Sequence, residues 1–383
     1  MKFIKFGKLD KKILIPIIAG ILRLIILLTY LKNPKYDILT KNPFVTSIYT
    51  SIGMISAIIP CFIIKHRSKQ INNISIELQN QSKLNLELIH TPILEEIQYS
   101  CKKYKLILYQ EIFDFLQTTL STIFIMDYVY SLWTFDIIFM SLFSYLLLKT
   151  KFYRHQYVSM AIIMILGLLL NVIEYYKLLN DDDKFNFSRI MMSLLSEIFL
   201  SLIIVIAKYN MEKTYCSPYE ICAWNGSIGL ILYIIVLLII NKLELTIEGS
   251  QYPDNFFELF DNYDVYDFLL CISIIASSAI FNMSLLVTIN YFTPYHIIII
   301  QIFREFYNSL DSDNNTILNI LSFFILALIT FMFLVFIEII ELNIFNISYN
   351  TKRNIQSRSF DDSLRKMETI TNPAEEILAE GDE

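Results

Sequence analysis

Long apolar stretches separated by polar segments follow one another along the chain from residue 13 to residue 342. A helix of about 20 apolar residues crosses a bilayer core of roughly 30 Å, because lipid offers no partner for unpaired backbone groups. The pattern therefore predicts an all-α membrane protein with ten transmembrane helices. The predicted spans are 13–30, 44–64, 105–126, 130–148, 156–176, 188–207, 219–240, 266–290, 294–310 and 316–342.

Composition agrees with a membrane protein. Hydrophobic residues make up 55% of the chain and charged residues 18%, which leaves too little polar surface for a soluble domain of this length. The net charge of -6 says little about partners, because the position of each charge matters more in such a chain. We expect the lipid bilayer and a small-molecule solute as partners, and no nucleic acid; a homodimer is left open.

The lysines and arginines indicate on which side of the membrane each loop lies. Cytoplasmic loops carry an excess of these residues, and 22 of the 31 share one side if the N-terminus is cytoplasmic. The opposite loops carry acidic residues at 181–183 and within 244–267, although the first of them has three lysines. Both termini are therefore predicted to be cytoplasmic. An endomembrane (Golgi, endoplasmic reticulum or vacuole) is favoured over the plasma membrane.

Three segments lie at the edge of the predicted bundle. The basic N-terminus leads into a run of spanning length without a cleavage site, which indicates an uncleaved signal anchor. The predicted cytoplasmic loop at 65–104 contains a stretch, 71–100, that is too polar to span; an interfacial helix and a disordered loop are both open there. The polar tail at 343–383 is expected to be a disordered cytoplasmic segment.

The cysteines and histidines suggest neither a disulfide framework nor a metal centre. The five cysteines are scattered over spans and cytoplasmic loops, and the four histidines lie near the cytoplasmic side without ligand spacing. A membrane enzyme would need a nucleophile with a histidine or metal partner at membrane depth. We therefore predict no enzyme, no metal and no cofactor.

Ten spans divide into five and five, and an odd number of spans in each half inverts the second half relative to the first. Inverted repeats of this kind are typical of transporters. The predicted N-terminal half, 1–207, holds the first five-helix repeat and the start of the sixth helix, with the repeat boundary near 177–188. The second five-helix repeat covers 188–342.

Three stretches resemble the drug/metabolite transporter superfamily. LFSYLLLKTKFYRHQYVSMAIIMILGLLLNV at 142–172 is similar to its fourth and fifth helices, which a basic cytoplasmic hairpin joins. SEIFLSLIIVIAKYNMEKTYCSPYEICAWNGSIGLI at 196–231 resembles the sixth and seventh helices of the nucleotide-sugar-transporter-like solute carriers. NYFTPYHIIIIQIFREFYNSL at 290–310 is similar to the junction of the eighth and ninth. The resemblance implies alternating access by a ten-helix bundle, with antiport or proton-linked transport of a solute.

Ionisable residues at membrane depth are candidates for the solute or coupling-ion site. Each costs about 2.5 to 3.5 kcal/mol on insertion scales and is expected to face protein or water. In the third span, Glu111, Asp114, Thr118 and Thr122 share one helical face, and in the sixth Ser193, Glu197 and Ser201 share another. The predicted site residues are Arg23, Glu111, Asp114, Asp136, Glu197 and Arg304.

Depth places four of these residues near one level. At about 1.5 Å per residue, Arg23, Asp114, Glu197 and Arg304 lie nine or ten residues from the cytoplasmic end of their spans. The alternative is structural: Arg23 with Glu197, or Arg304 with Asp114 or Asp136, could form buried pairs that hold helices together.

The charge balance at these positions bears on the solute. Acidic residues outnumber the two arginines, whereas phosphate-bearing solutes favour several basic residues. A nucleotide-sugar antiporter is thus the weaker reading within the resemblance, and a neutral or cationic metabolite fits better, with protons as candidate coupling ions. A receptor or scaffold that does not transport is the alternative from another class.

Overall fold

The structure is a computed structural model, and it describes residues 4–6, 18, 21, 43–64, 66, 93–124, 132–178, 187–243, 265–311 and 316–342. Its elements in chain order are β1 (Ile4–Phe6), α1 (Pro43–Ile55), α2 (Ile93–Phe124), a 3-10 turn (Leu132–Phe135), α3 (Asp136–Phe143), a π-helical turn (Ser144–Leu148), α4 (Arg154–Leu178), α5 (Phe187–Thr214), α6 (Pro218–Leu243), α7 (Val265–Tyr291), a second 3-10 turn (Pro294–Ile297), α8 (Ile298–Asp311), α9 (Thr316–Phe336) and β2 (Ile340–Leu342).

Six helices within the described residues are long and apolar enough to cross a membrane. They are Thr46–Ile64, Arg154–Ile173, Ile190–Thr214, Pro218–Ile239, Phe268–Tyr291 and Ile317–Phe336. These agree with six of the predicted spans and indicate a multi-pass membrane protein. The predicted spans at 105–126, 130–148 and 294–310 are also helical, but they are shorter or more polar. Almost all of the first predicted span lies outside the described residues, so the count of ten stays a prediction.

The C-terminal end of the predicted cytoplasmic loop at 65–104 is helical. Helix α2 begins at Ile93, twelve residues before the predicted span, and continues without a break to Phe124. The polar residues of 93–104 therefore belong to the same helix as the predicted third span, rather than to a separate interfacial helix. Residues 67–92 lie outside the described part of the chain.

The last helix also ends earlier than predicted. Helix α9 stops at Phe336, and Glu338 adopts a left-handed backbone conformation with φ of 63°. The amide of Glu338 donates to Val335 O at 3.1 Å, and that of Ile339 donates to Leu334 O at 3.0 Å. This pair of bonds is a Schellman cap, which closes a helix by satisfying its last carbonyls.

One short β-pairing, of three residues in each strand, accompanies the all-helical fold. Beyond the cap of α9, Ile340–Leu342 runs antiparallel to Ile4–Phe6, with Lys5 opposite Glu341. Each strand reads apolar, charged, apolar, but three residues are too few to establish a period of two in the sequence. The pairing brings residues 4–6 to the end of α9.

Helix α5 packs against both α2 and α3, and the other helices pack as follows. Helix α1 lies along α6 and α7, and α2 lies along α5 and α6; α9 packs on α4 and α8, and α3 packs on α5. Glycines allow the closest approaches. A Cβ at Gly226 would lie 2.6 Å from the backbone oxygen of Ser51, and one at Gly53 would overlap the backbone oxygen of Ile275. Small residues of this kind let helix backbones approach in a membrane.

Polar contacts join helix ends on the side predicted to be cytoplasmic. Each links the start or end of one helix to another helix of the bundle. The contacts are Lys103 Nζ to Glu220 Oε1 at 2.6 Å, His155 Nε2 to Glu338 Oε1 at 3.2 Å, and Lys208 Nζ to the backbone oxygen of Asn290 at 3.1 Å.

Cys216 lies beside the first of these pairs, in the link between α5 and α6. Burial lowers the pKa of Lys103, but its hydrogen bond to Glu220 and the nearby negative charge hold that pKa above its usual value. Burial, together with the charge of Glu220, raises the pKa of Cys216 to about 12. The thiol is therefore protonated at neutral pH.

We expect Cys216 to resist alkylation. At pH 8 a free cysteine with a pKa near 8.5 is about one quarter thiolate, whereas a thiol with a pKa of about 12 has roughly a thousandfold less. In a variant that keeps only this cysteine, iodoacetamide should react about a thousandfold more slowly than with free cysteine. Glu220→Gln removes the neighbouring carboxylate and should speed the reaction. Rapid labelling of the unaltered site at pH 8 would contradict the burial of this thiol.

Candidate functional site

A cavity of about 470 Å³ lies between the helices of the bundle. Helices α1, α2, α5, α6, α7 and α8 contribute side chains to its wall. The apolar part of the wall includes Leu200, Ile203 and Leu285, and the polar part comes largely from α1 and α2. Its volume falls within the range of small-molecule pockets, about 300 to 1,000 Å³.

Helix α2 supplies the acidic groups of the cavity because its polar residues recur at helical spacing. Gln110, Glu111, Asp114, Gln117 and Thr118 all line the cavity. Residues at offsets of three, four and seven lie on one face of an α-helix. The predicted face of α2 is therefore confirmed for Glu111, Asp114 and Thr118, whereas the side chain of Thr122 lies outside the described residues.

Glu111 is the most enclosed of the acidic groups on the wall. Its side chain is 2% exposed, and its Oε2 has no hydrogen-bond partner among the described residues. Gly229 of α6 faces the other carboxyl oxygen, where a Cβ would overlap Oε1. The glycine thus provides the space that the Glu111 carboxyl occupies.

Further oxygens on the cavity wall resemble Glu111 Oε2. Gln110 Oε1, Asn225 Oδ1 and Gln301 Oε1 are also buried without a hydrogen-bond partner among the described residues. Buried polar atoms are normally satisfied by protein or by an ordered water molecule. Four unsatisfied acceptors on one wall therefore indicate a place for molecules that donate hydrogen bonds.

A second acidic cluster adjoins the cavity at the first turn of α3. Asp136 is fully buried, and its Oδ2 accepts a hydrogen bond of 2.8 Å from Gln301 Nε2. The hydroxyl of Ser201 donates to Asp136 Oδ1 at 3.1 Å, and Glu197 lies within hydrogen-bonding range of the same carboxyl. Because Gln301 also lines the cavity, one side chain joins the cavity to this cluster.

The predicted site residues thus fall into two groups that the structure describes and one that it does not. Glu111 and Asp114 line the cavity, and Asp136 and Glu197 meet in the adjoining cluster. Arg23 lies outside the described residues, and of Arg304 only the helical backbone in α8 is described. The predicted pairing of either arginine with an acid therefore stays a prediction.

The sequence prediction missed several residues of the cavity wall. Gln110 was not singled out, although it precedes Glu111 on the same helix and is equally buried. Asn225 also lies on the cavity wall, and its amide oxygen is buried without a partner among the described residues. Tyr233 lines the cavity as well and was not among the predicted site residues. For Gln110, its place one helical turn before Asp114 is the signal that could have found it.

Comparisons with known proteins assign no family. No protein-family model matches the chain, and no curated protein is significantly similar to it. The resemblance to the drug/metabolite transporters therefore remains a prediction from the quoted motifs. The six long apolar helices define a candidate multi-pass membrane protein, and the cavity between its helices has a mainly apolar wall with several polar side chains.

Proposed function

We propose that the protein is a secondary-active transporter that moves a small polar metabolite by alternating access, with protons as the candidate coupling ion or by antiport. The cavity carries this proposal. Four of the helices that line it, α1, α5, α6 and α7, are long and apolar enough to cross a bilayer, and its wall combines apolar side chains with unpartnered polar atoms. A polar cavity at membrane depth is costly to maintain unless a solute uses it.

The ten-helix inverted repeat and the cytoplasmic position of both termini belong to the same proposal. Pairing of residues 4–6 with 340–342 supports it, because a strand pair keeps these two segments on one side of the bundle. The excess of lysine and arginine in the predicted cytoplasmic segments favours that side. An endomembrane remains the favoured location.

Two alternatives are weighed against this proposal. A nucleotide-sugar antiporter would need basic groups for phosphate, and no Lys, Arg or His occurs among the described residues of the cavity wall. A receptor or scaffold would bind partners without flux. Uptake of solutes into proteoliposomes, with and without a pH gradient, distinguishes a transporter from a receptor. The solute that is taken up distinguishes the two kinds of transporter. Saturable flux supports a transporter, and binding without flux supports a receptor.

The Asp136 cluster is the candidate proton site. The carboxyls of Asp136 and Glu197 interact within this cluster, and such a pair favours holding one proton, because two neighbouring ionised carboxylates repel each other. Gln301 connects the pair to the cavity wall, so solute binding can influence proton occupancy through one side chain. The other ionisable residues near this turn of α8 are Arg304, whose side chain is not described, and the buried Glu305.

Asp136→Asn is expected to uncouple transport from the pH gradient. The amide keeps the shape of the carboxyl but cannot take up or release a proton in the physiological range. Accumulation driven by an imposed pH gradient should fall to the level seen without a gradient, while exchange of solute across the vesicle membrane continues. Glu212→Gln, at a largely exposed position, is the matched control. Gradient-driven accumulation that survives Asp136→Asn would exclude this proton site.

A further inference from the structure

The charges on the cavity wall have one sign. Glu111 and Asp114 lie one turn apart on α2 and both line the cavity, and the described lining residues include no basic side chain. Two carboxyls that face one enclosed space repel each other when ionised, and a cation placed between them relieves that repulsion. The wall therefore favours a cationic occupant over an anionic one.

The unpartnered wall atoms specify the kind of cation. Gln110 and Glu111 are each 2% exposed and Asn225 is 5% exposed, and each presents an oxygen that has no partner among the described residues. Gln301 donates through its nitrogen to Asp136, which fixes its oxygen as the free acceptor. Oxygens accept hydrogen bonds, so the matching ligand carries N–H donors.

The cavity is too large for a bare metal ion, and the remainder of its wall is too apolar. Ile203, Ile204, Leu286 and the aromatic rings of Tyr233 and Phe281 face a cavity of about 470 Å³. A metal ion instead prefers a close cage of oxygen or nitrogen ligands. Aromatic faces attract organic cations and pack against apolar groups.

We infer that the cavity binds a primary or secondary ammonium carried on a small apolar body, with the carboxyls of Glu111 and Asp114 and the oxygens of Gln110, Asn225 and Gln301 as its hydrogen-bond acceptors. This rests on the proposed function, because it names the solute class of the same cavity. Each N–H donates to one wall oxygen, and the apolar body lies against the aliphatic and aromatic side chains. Charge-assisted hydrogen bonds of this kind are the stronger class.

A ligand series on the purified full-length protein tests the inference. Isothermal titration would use primary ammonium ions from methylammonium to phenethylammonium, the N,N,N-trimethyl form of phenethylammonium, the neutral 2-phenylethanol and sodium ion. We expect the larger primary ammonium ions to bind and the trimethyl form and the alcohol to bind at least tenfold more weakly. Glu111→Gln and Asp114→Asn should each weaken binding at least tenfold, whereas Glu212→Gln should leave it unchanged.

Several results would overturn the inference. These are no binding by any ammonium ion of the series, equal binding of the alcohol or the trimethyl form, binding of sodium alone, and full affinity in correctly folded Glu111→Gln and Asp114→Asn proteins. Gel filtration and thermal unfolding establish that the variants are folded. Ammonium binding without flux in vesicles would keep the ligand class and overturn the proposed transport. Saturable flux of an anionic solute without ammonium binding would keep the proposed transport and overturn the ligand class.

Discussion

Glu111→Met is expected to stabilise the purified protein while abolishing uptake into proteoliposomes. The carboxyl is buried, and one of its oxygens has no partner among the described residues. Leaving such a group unsatisfied costs about 1 to 3 kcal/mol, which methionine of similar volume recovers. The same change removes an acceptor and a charge from the proposed cation site, so uptake of the ammonium series should fall at least tenfold. Thermal unfolding and initial uptake rates measure the two effects.

A gain in stability together with a loss of uptake is expected for a group that binds the ligand, whereas replacing a structural group should lower stability. Ser201→Ala is the matched control, because the hydroxyl of Ser201 already donates to Asp136 at 3.1 Å. Its loss should lower stability by about 1 kcal/mol, in the range of an ordinary hydrogen bond. If Glu111→Met instead lowered stability by several kcal/mol, Glu111 would be a structural partner, and the site would have to lie elsewhere.

The polar face of α2 could be predicted from the sequence because helical periodicity alone determines it. Glu111, Asp114 and Thr118 recur at offsets of three and seven, and all three line the cavity. Any straight helix would bring these side chains to one side. Which neighbouring helices would face that side could not be predicted, since it depends on contacts between residues far apart in the chain. Gly229 of α6, opposite Glu111, is one of these.

The fourth predicted span changes helix type along its length, which hydrophobic periodicity cannot predict. It was predicted as one regular helix over 130–148, but within its described residues a 3-10 turn, α3 and a π-helical turn succeed one another. Lys149 then adopts a left-handed conformation with φ of 56°. The run from Asp136 to Leu148 contains neither proline nor glycine. All three segments pack against α5, and the changes in helix type carry no local signal from proline or glycine.

The partner of Asp136 likewise depends on tertiary contacts. A charge at membrane depth suggested an arginine, since oppositely charged residues pair in apolar surroundings. Among the described residues Asp136 instead meets a second carboxyl, Glu197, together with Gln301 and Ser201. The sequence predicted that Glu197 and Ser201 share a face of α5. It could not predict that this face would meet the first turn of α3.

Gly226→Val is expected to cause a large loss of stability at the contact between α1 and α6. A Cβ at this position would lie 2.6 Å from the backbone oxygen of Ser51 and 2.7 Å from Cβ of Met54. Backbone atoms cannot move aside as side chains do, so α1 and α6 must separate. Overpacking typically costs about 1 to 3 kcal/mol and occasionally more, and we expect the upper end. The midpoint of thermal unfolding measures the loss, with Gly226→Ala giving a smaller one.

Ala161→Val is the matched control, because it adds bulk to an exposed position in the middle of α4. It should leave the unfolding midpoint nearly unchanged. An equal effect of the two valines would mean that α1 and α6 are not in close contact at Gly226. Separation of these helices would also displace Ser51 and Asn225, which line the cavity on either side of this contact. Ammonium binding should therefore weaken in Gly226→Ala even where the protein remains folded, since the spacing of α1 and α6 sets the width of the proposed site.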